Sequence, residues 1–179
     1  MPDVISVQVT RGAVVEARHR VHAVALDPDG RLLATAGDPD LLTYLRSSAK
    51  PLQALPLVRA FPDVDDRLIA IACASHLGRP EQLEAVRELL TLSGSTESEL
   101  ETGPEPTAIA HNCSGKHSGM LAHCVACGYT KHDYLEYDHP LQAQIRRAVA
   151  TFAGADPDAL AWGVDGCSAP NYALPLSGL

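Results

Sequence analysis

The sequence predicts an α+β chain, a mixed or antiparallel sheet covered by helices, and three observations predict it. The amino-terminal forty residues alternate apolar and polar side chains around a strong turn signal, which is the pattern of half-buried strands. The middle of the chain then switches to a helical period and holds it through five segments. A short apolar run, Ala161 to Val164, returns the pattern to a strand near the end.

Taken in order, Val4 to Val9 reads as the opening strand. Val21 to Leu26 and Arg31 to Ala36 flank Asp27-Pro28-Asp29-Gly30 and make a hairpin or meander. From Leu41 onward the pattern is helical, with helices over about 48 to 59, 65 to 74, 80 to 93 and 118 to 127. Pro80 suits a first helical turn, because its missing N–H would be unpaired there anyway, and Ser93-Gly94-Ser95 ends that helix. A fifth helix runs from about Pro140 to Phe152, with Asp138 as its candidate cap and Gly154 as its stop. Asn171 to Leu179 reads as the opening of another apolar helix without a closing signal, so the natural protein is expected to continue past Leu179.

Composition narrows the classes of function. A chain of 179 residues, 46% of them hydrophobic, buries a sizeable core. Its net charge of −8 offers no basic face to phosphate backbones or anionic lipid, so nucleic-acid and membrane partners are not expected. No apolar run approaches the roughly 18 residues of a membrane span, and no charged leader precedes an apolar segment, so a cytoplasmic protein is expected. The five cysteines, Cys73, Cys113, Cys124, Cys127 and Cys167, are an odd number and point to metal-binding, catalytic or core thiols rather than to a disulfide framework. The fourteen basic residues include only three lysines, Lys50, Lys116 and Lys131. Two of these sit inside dense motifs, where an amine that can lose its proton does what arginine cannot.

Three constellations carry chemistry. In Arg46-Ser47-Ser48-Ala49-Lys50-Pro51, a serine at a helix start is followed three residues later by a lysine, and one turn brings amine and hydroxyl together as a nucleophile and its base. The bland alternative is a capping serine with an exposed lysine. Cys73-Ala74-Ser75-His76-Leu77-Gly78 ends a run of small and apolar residues; adjacency does not make Ser75 and His76 a dyad, since consecutive side chains point apart.

The third constellation is His111-Asn112-Cys113-Ser114-Gly115-Lys116-His117-Ser118-Gly119 together with Asp165-Gly166-Cys167. The first part follows an acidic Pro-rich turn, Gly103 to Pro106, and reads as a strand end, a turn and a helix start, a setting that favours an anion or thiolate. Alone, Cys113 reads equally well as a small buried hydrophobe. Thiolates from Cys113 and Cys167 would meet on Zn²⁺ rather than Mg²⁺ or Ca²⁺, with the Lys116 amine as a possible further ligand and Asp165 beside them. Cys124-x-x-Cys127 has metal or redox spacing too, but it reads as a helical pair of small core residues.

Arg46 to Pro51, Ala74 to Gly78, His111 to His117 and Gly163-Val164-Asp165-Gly166-Cys167-Ser168-Ala169-Pro170 occur in the order and approximate spacing seen in rhizobial-type L-asparaginases, and the chain resembles that asparaginase II family over essentially its whole length. The resemblance implies a fold like that of the serine β-lactamases and glutaminases, and hydrolysis of L-asparagine to L-aspartate and ammonia by a homodimer. It implies that Ser47 and Lys50 form one Ser-Lys pair and that Ser75 belongs to a second. Cys113, Lys116 and Cys167 would be zinc ligands, with Arg46, His117 and Asp165 lining the site. Members of the family are longer, so residues 1–179 are expected to be the N-terminal part of a single domain, with the lysine partner of Ser75 further along.

Two other classes fit parts of the pattern. A penicillin-recognising acyl-enzyme shares Ser-x-x-Lys but needs S-D-N and K-T-G, which do not occur. A non-catalytic zinc protein would keep Cys113 and Cys167 without needing Ser47 or Lys50. On charge alone, Arg46 suits a substrate carboxylate and Asp165 an ammonium.

Overall fold

The structure, a computed structural model, describes residues 3–103 and 107–179, so most of the turn expected at Gly103 to Pro106 lies outside the described residues. Among the described residues the fold is mixed α and β, with small antiparallel sheets and five α-helices. It divides into two compact units, Met1–Tyr44 with Ala173–Leu179, and Leu45–Tyr172. No helix of the described residues is long and apolar enough to cross a membrane.

In the first unit, β1 (Ile5–Arg11) pairs antiparallel with β2 (Val14–Val21), Ile5 facing Val21, with a register shift at Val9 and Thr10. The second hairpin joins β3 (Ala23–Leu26) to β4 (Leu32–Ala36) through the Asp-Pro-Asp-Gly turn. Asp27 Oδ1 accepts the N–H groups of Asp29 and Arg31 at 2.9 and 2.8 Å, so the carboxylate replaces the backbone partners that the turn removes. β5 (Leu42–Tyr44), where the sequence reads as helical, pairs antiparallel with the second half of β7 (Pro170–Pro175).

The helix expected from Asn171 onward is therefore a strand. A short continuous apolar run does not distinguish the two by periodicity. The long-range ladder decides, with Thr43 opposite Leu174 and Leu176 N–H donating to the Leu41 carbonyl at 3.0 Å.

The second unit is helical. A 3-10 turn at Arg46–Ala49 leads directly into α1 (Lys50–Ala60), with Pro51 in its first turn. α2 (Asp66–Cys73) is capped by Asp65, whose side chain accepts the Arg67 N–H. α3 (Pro80–Leu92) begins at the expected proline. α4 (Ser114–Ala126) starts four residues earlier than its apolar pattern suggests. α5 (Pro140–Ala153) is closed by Gly154 at φ 61° as expected, but its cap is His139, whose side chain accepts the Leu141 N–H, rather than Asp138. β6 (Ala161–Val164) lies beside β7, as the apolar run predicts.

α4 is the axis of this unit, and every side chain from Ser114 to Cys124 is buried. It packs against α1, α2 and α3, meeting Leu57, Ile71 and Ala72, with Val86 and Leu89 completing the core. Gly115 and Gly119 lie one turn apart and let the neighbouring helices come close. A Cβ on Gly115 would sit 2.3 Å from the Ile71 carbonyl oxygen, and one on Gly119 would sit 3.1 Å from Leu57 Cδ2. Cys124 is buried and Cys127 exposed at the end of α4, both free thiols, so only the first is a core residue.

Candidate active site

All nine residues singled out from the sequence lie in the helical unit, where the 3-10 turn before α1, the loop after α2, the first turn of α4 and the loop after β6 position them. They form three connected groups.

Lys50, the first residue of α1, is 2% exposed and points its amine at the loop after α2. Its Nζ donates to the Ala74 carbonyl at 2.6 Å, to Ser75 Oγ at 2.8 Å and to the Asn112 carbonyl at 3.4 Å, and to no carboxylate among the described residues. Three acceptors match the three N–H bonds of an ammonium. In a neutral amine, the two carbonyls take its two N–H bonds and the lone pair faces the Ser75 hydroxyl. Ser75 itself is exposed, so a buried amine backs a solvent-facing hydroxyl. Lys50 thus contacts Ser75 rather than Ser47. The Ser47 side chain is exposed, and its local link to Lys50 is through the backbone, Lys50 N–H donating to the Ser47 carbonyl.

The loop that presents Ser75 is fixed by His76. The Ser114 hydroxyl donates to the Ile109 carbonyl at 2.7 Å, so at the 2.8 Å contact with His76 Nε2 it acts as acceptor. His76 Nδ1 accepts the Gly78 N–H at 3.1 Å. This network assigns the neutral Nε2–H tautomer. Burial, followed by the charge of Lys50, holds the imidazole below its usual range and agrees with that assignment.

The second group is the buried thiol cluster. Lys116 Nζ donates to Cys167 Sγ at 3.0 Å. Cys167 is held well below the ordinary thiol range, first by the neighbouring Cys113 thiol and then by the adjacent His117 imidazole and Lys116 amine, against the cost of burial. Cys113 is pushed up correspondingly, because its proton serves the Cys167 sulfur and because it is buried. The two sulfurs are thus pushed in opposite directions, each first by the other, and Cys167 is the more acidic of the pair.

His117 Nδ1 lies 2.7 Å from the Tyr134 hydroxyl, which also accepts the Glu101 N–H at 3.1 Å. His117 is fully buried, and desolvation lowers it to about 4. Its Nε2 lies close to the Cys167 sulfur without a well-aligned hydrogen bond.

Whether a zinc ion suits this cluster is a question of donor chemistry. Two neighbouring sulfurs, one of them with a lysine nitrogen at hydrogen-bond distance, make a soft, borderline donor set, and the orphaned His117 nitrogen lies beside it. Cys113, Lys116 and Cys167 fit such an ion. Among the described residues no group of three or more His, Cys, Asp or Glu side chains is arranged to hold a metal, so the third donor here has to be the lysine amine.

The third group is charged and polar. Arg46 pairs with Asp165 Oδ1. Asp165 also accepts the Gly166 N–H at 2.9 Å and the Asn171 side-chain N–H at 3.0 Å, while Asn171 Oδ1 accepts the Arg46 backbone N–H at 3.1 Å. Arg46 and Asp165, which the sequence suggests for a substrate's carboxylate and ammonium, are thus bonded to each other. Asn112, Tyr134 and Asn171 were not foreseen. Asn112 lies inside a motif already singled out, but it acts through its carbonyl, and Tyr134 carries no local signal.

A family model described as L-asparaginase II matches residues 7–179, nearly the whole chain. No curated protein matches it.

Proposed function

The chain belongs to the L-asparaginase II family, and from that premise we propose that it hydrolyses L-asparagine with Ser75 as nucleophile and Lys50 as its base. The family implies asparagine amidohydrolase activity; the roles of individual residues are our reading. The observation that carries it is the 2.8 Å contact between the buried Lys50 amine and the exposed Ser75 hydroxyl.

In the first step the neutral Lys50 amine takes the Ser75 proton as Oγ bonds to the side-chain carbonyl carbon of asparagine. The proton passes to the departing nitrogen, the C–N bond breaks, and ammonia leaves an aspartyl ester on Ser75. Water then attacks the ester, with Lys50 again as base, releasing aspartate and restoring the serine. Ser47, one turn before Lys50, is the other candidate serine. Arg46 receives the substrate carboxylate and Asp165 its ammonium, exchanging their mutual ion pair for two with the ligand. Cys113, Lys116 and Cys167 are the residues that would hold zinc, which when bound supplies Lewis acidity or an anchor for the substrate. The homodimer and the β-lactamase-like fold implied by the resemblance belong to the same proposal, and light scattering checks the first.

The test is ammonia release from asparagine by the wild type, Ser75→Ala, Lys50→Met and Ser47→Ala. Ser75→Ala and Lys50→Met should each lose about 100-fold or more in kcat, the size of a lost nucleophile or proton-transfer group. If Ser47→Ala is the inactive variant while Ser75→Ala retains full turnover, the assignment is wrong.

A further inference from the structure

Arg46 has φ 51°, in the left-handed region that residues other than glycine rarely occupy, a strained conformation that persists only where its surroundings enforce it. The residue lies immediately before Ser47. The turn is held on both sides by backbone bonds, Leu45 N–H to the Tyr172 carbonyl at 2.9 Å and Ser48 N–H to the Leu45 carbonyl at 3.2 Å, and at Arg46 itself by one side chain 125 positions later, Asn171, which is 3% exposed and accepts the Arg46 backbone N–H at 3.1 Å. The other end of the same amide donates to Asp165 Oδ2 at 3.0 Å. The amide orientation is fixed by chemistry, since an N–H needs an acceptor and a carboxylate needs a donor. The loop holding Asp165 is itself tight, with Asp165 N–H donating to the Ala169 carbonyl at 2.9 Å and Ser168 at φ 65°.

We infer that Asn171 is a positioning residue that fixes the two charged groups reading the α-amino-acid end of the substrate, Arg46 through its backbone and Asp165 through its carboxylate. The inference rests on the proposed amidohydrolase reading. When a ligand separates Arg46 from Asp165, the carboxylate keeps the Asn171 and Gly166 hydrogen bonds and stays aimed, while the Arg46 backbone stays anchored and only its guanidinium moves. Neither aspartate nor leucine can replace the asparagine. Aspartate keeps the acceptor for Arg46 but sets a like charge against Asp165, and leucine removes both bonds.

Asn171→Asp and Asn171→Leu separate the two bonds, and three amides read them: asparagine; succinamate, which lacks the α-ammonium; and β-alaninamide, which lacks the α-carboxylate. Losing a hydrogen bond that orients a charged group should raise KM for asparagine about 10-fold or more with little change in kcat. In Asn171→Asp the preference for asparagine over succinamate should collapse by a similar factor. A uniform fall for all three substrates, or an unchanged preference, overturns the inference.

Hydrogen exchange at the Arg46 amide provides a readout independent of turnover. Protection should persist in Asn171→Asp and disappear in Asn171→Leu; equal protection in the two variants also overturns it. If the wild type leaves asparagine intact, the amidohydrolase reading and the substrate role assigned to Asn171 both fail, and the exchange data still decide whether Asn171 anchors Arg46.

Discussion

Replacing Gly115 by alanine sets two opposing effects against each other, and the geometry says which one wins. Alanine is favoured over glycine by up to about 1 kcal/mol in a helix, so α4 alone would gain from the change, even at its second residue. The added Cβ, however, would lie 2.3 Å from the Ile71 carbonyl oxygen and 2.8 Å from its carbon. An ordinary carbon-oxygen contact is about 3.3 Å, so α2 and α4 must part by about 1 Å, and backbone cannot rotate away as a side chain does. Overpacking of this kind costs about 1–3 kcal/mol, and a backbone clash belongs at the upper end. The net expectation is about 2 kcal/mol of destabilisation, or ~4–8 °C in Tm for a chain of this size. Gly119→Ala is the internal control, in the same helix and at an interior position where the propensity gain is at least as large. Its Cβ would meet Leu57 Cδ2 at 3.1 Å, a methyl that can move, so it should be near neutral.

Urea unfolding of the two variants, followed by circular dichroism at 222 nm, reads the difference directly. Gly115→Ala should also lower turnover by up to about 100-fold, because a 1 Å displacement of α4 carries Lys116 and His117 with it. If Gly115→Ala is as stable as Gly119→Ala, the close approach of α2 to α4 is not a constraint and the packing account fails.

Tyr134→Phe would leave His117 Nδ1 and the Glu101 N–H without their partner in a buried setting; we expect a loss of about 1–3 kcal/mol by denaturant titration, and an unchanged midpoint would count against the network. Acid should destabilise the metal-free protein through its imidazoles. His76, His117 and His123 are all held below their usual range by burial, so the folded chain binds fewer protons than the unfolded one; stability present above about pH 6.5 is lost as pH falls through the folded values. For His117 the gap from 6.5 down to about 4 is worth about 3 kcal/mol, and stability measured at steps across that window should fall toward acid rather than stay flat. Cys167→Ala removes the more acidic thiol of the cluster, so the zinc bound per chain after dialysis should drop to background; retention of metal by this variant would put the ligands elsewhere.

The difference between what was legible and what was not follows sequence distance. The Asp27 turn, Pro80 at the start of α3 and Gly154 at the end of α5 are local signals, and each appears in the structure where its chemistry requires it. The early start of α4 escaped because Ser114 to Gly119 is polar, and polarity reads as loop when its partners are not in view. Those partners, the Ile109 carbonyl for Ser114, Cys167 for Lys116 and Tyr134 for His117, are what allow so polar a turn to be buried.

The same reasoning accounts for the serine. A three-residue spacing makes Ser47 the natural neighbour of Lys50 in the sequence, yet the amine donates to Ser75, 25 residues away, because the Ala74 and Asn112 carbonyls point at the same place. A buried amine goes where acceptors converge, and convergence depends on the fold rather than on spacing. That makes Lys50→Arg a sharper test than truncation. Arginine cannot reproduce the ammonium's three donors in one compact point, and it does not act as a base near neutral pH. Lys50→Arg should therefore be as inactive as Lys50→Met while retaining charge, and any substantial turnover by the arginine variant would show that Lys50 serves Ser75 as a charge and not as a base.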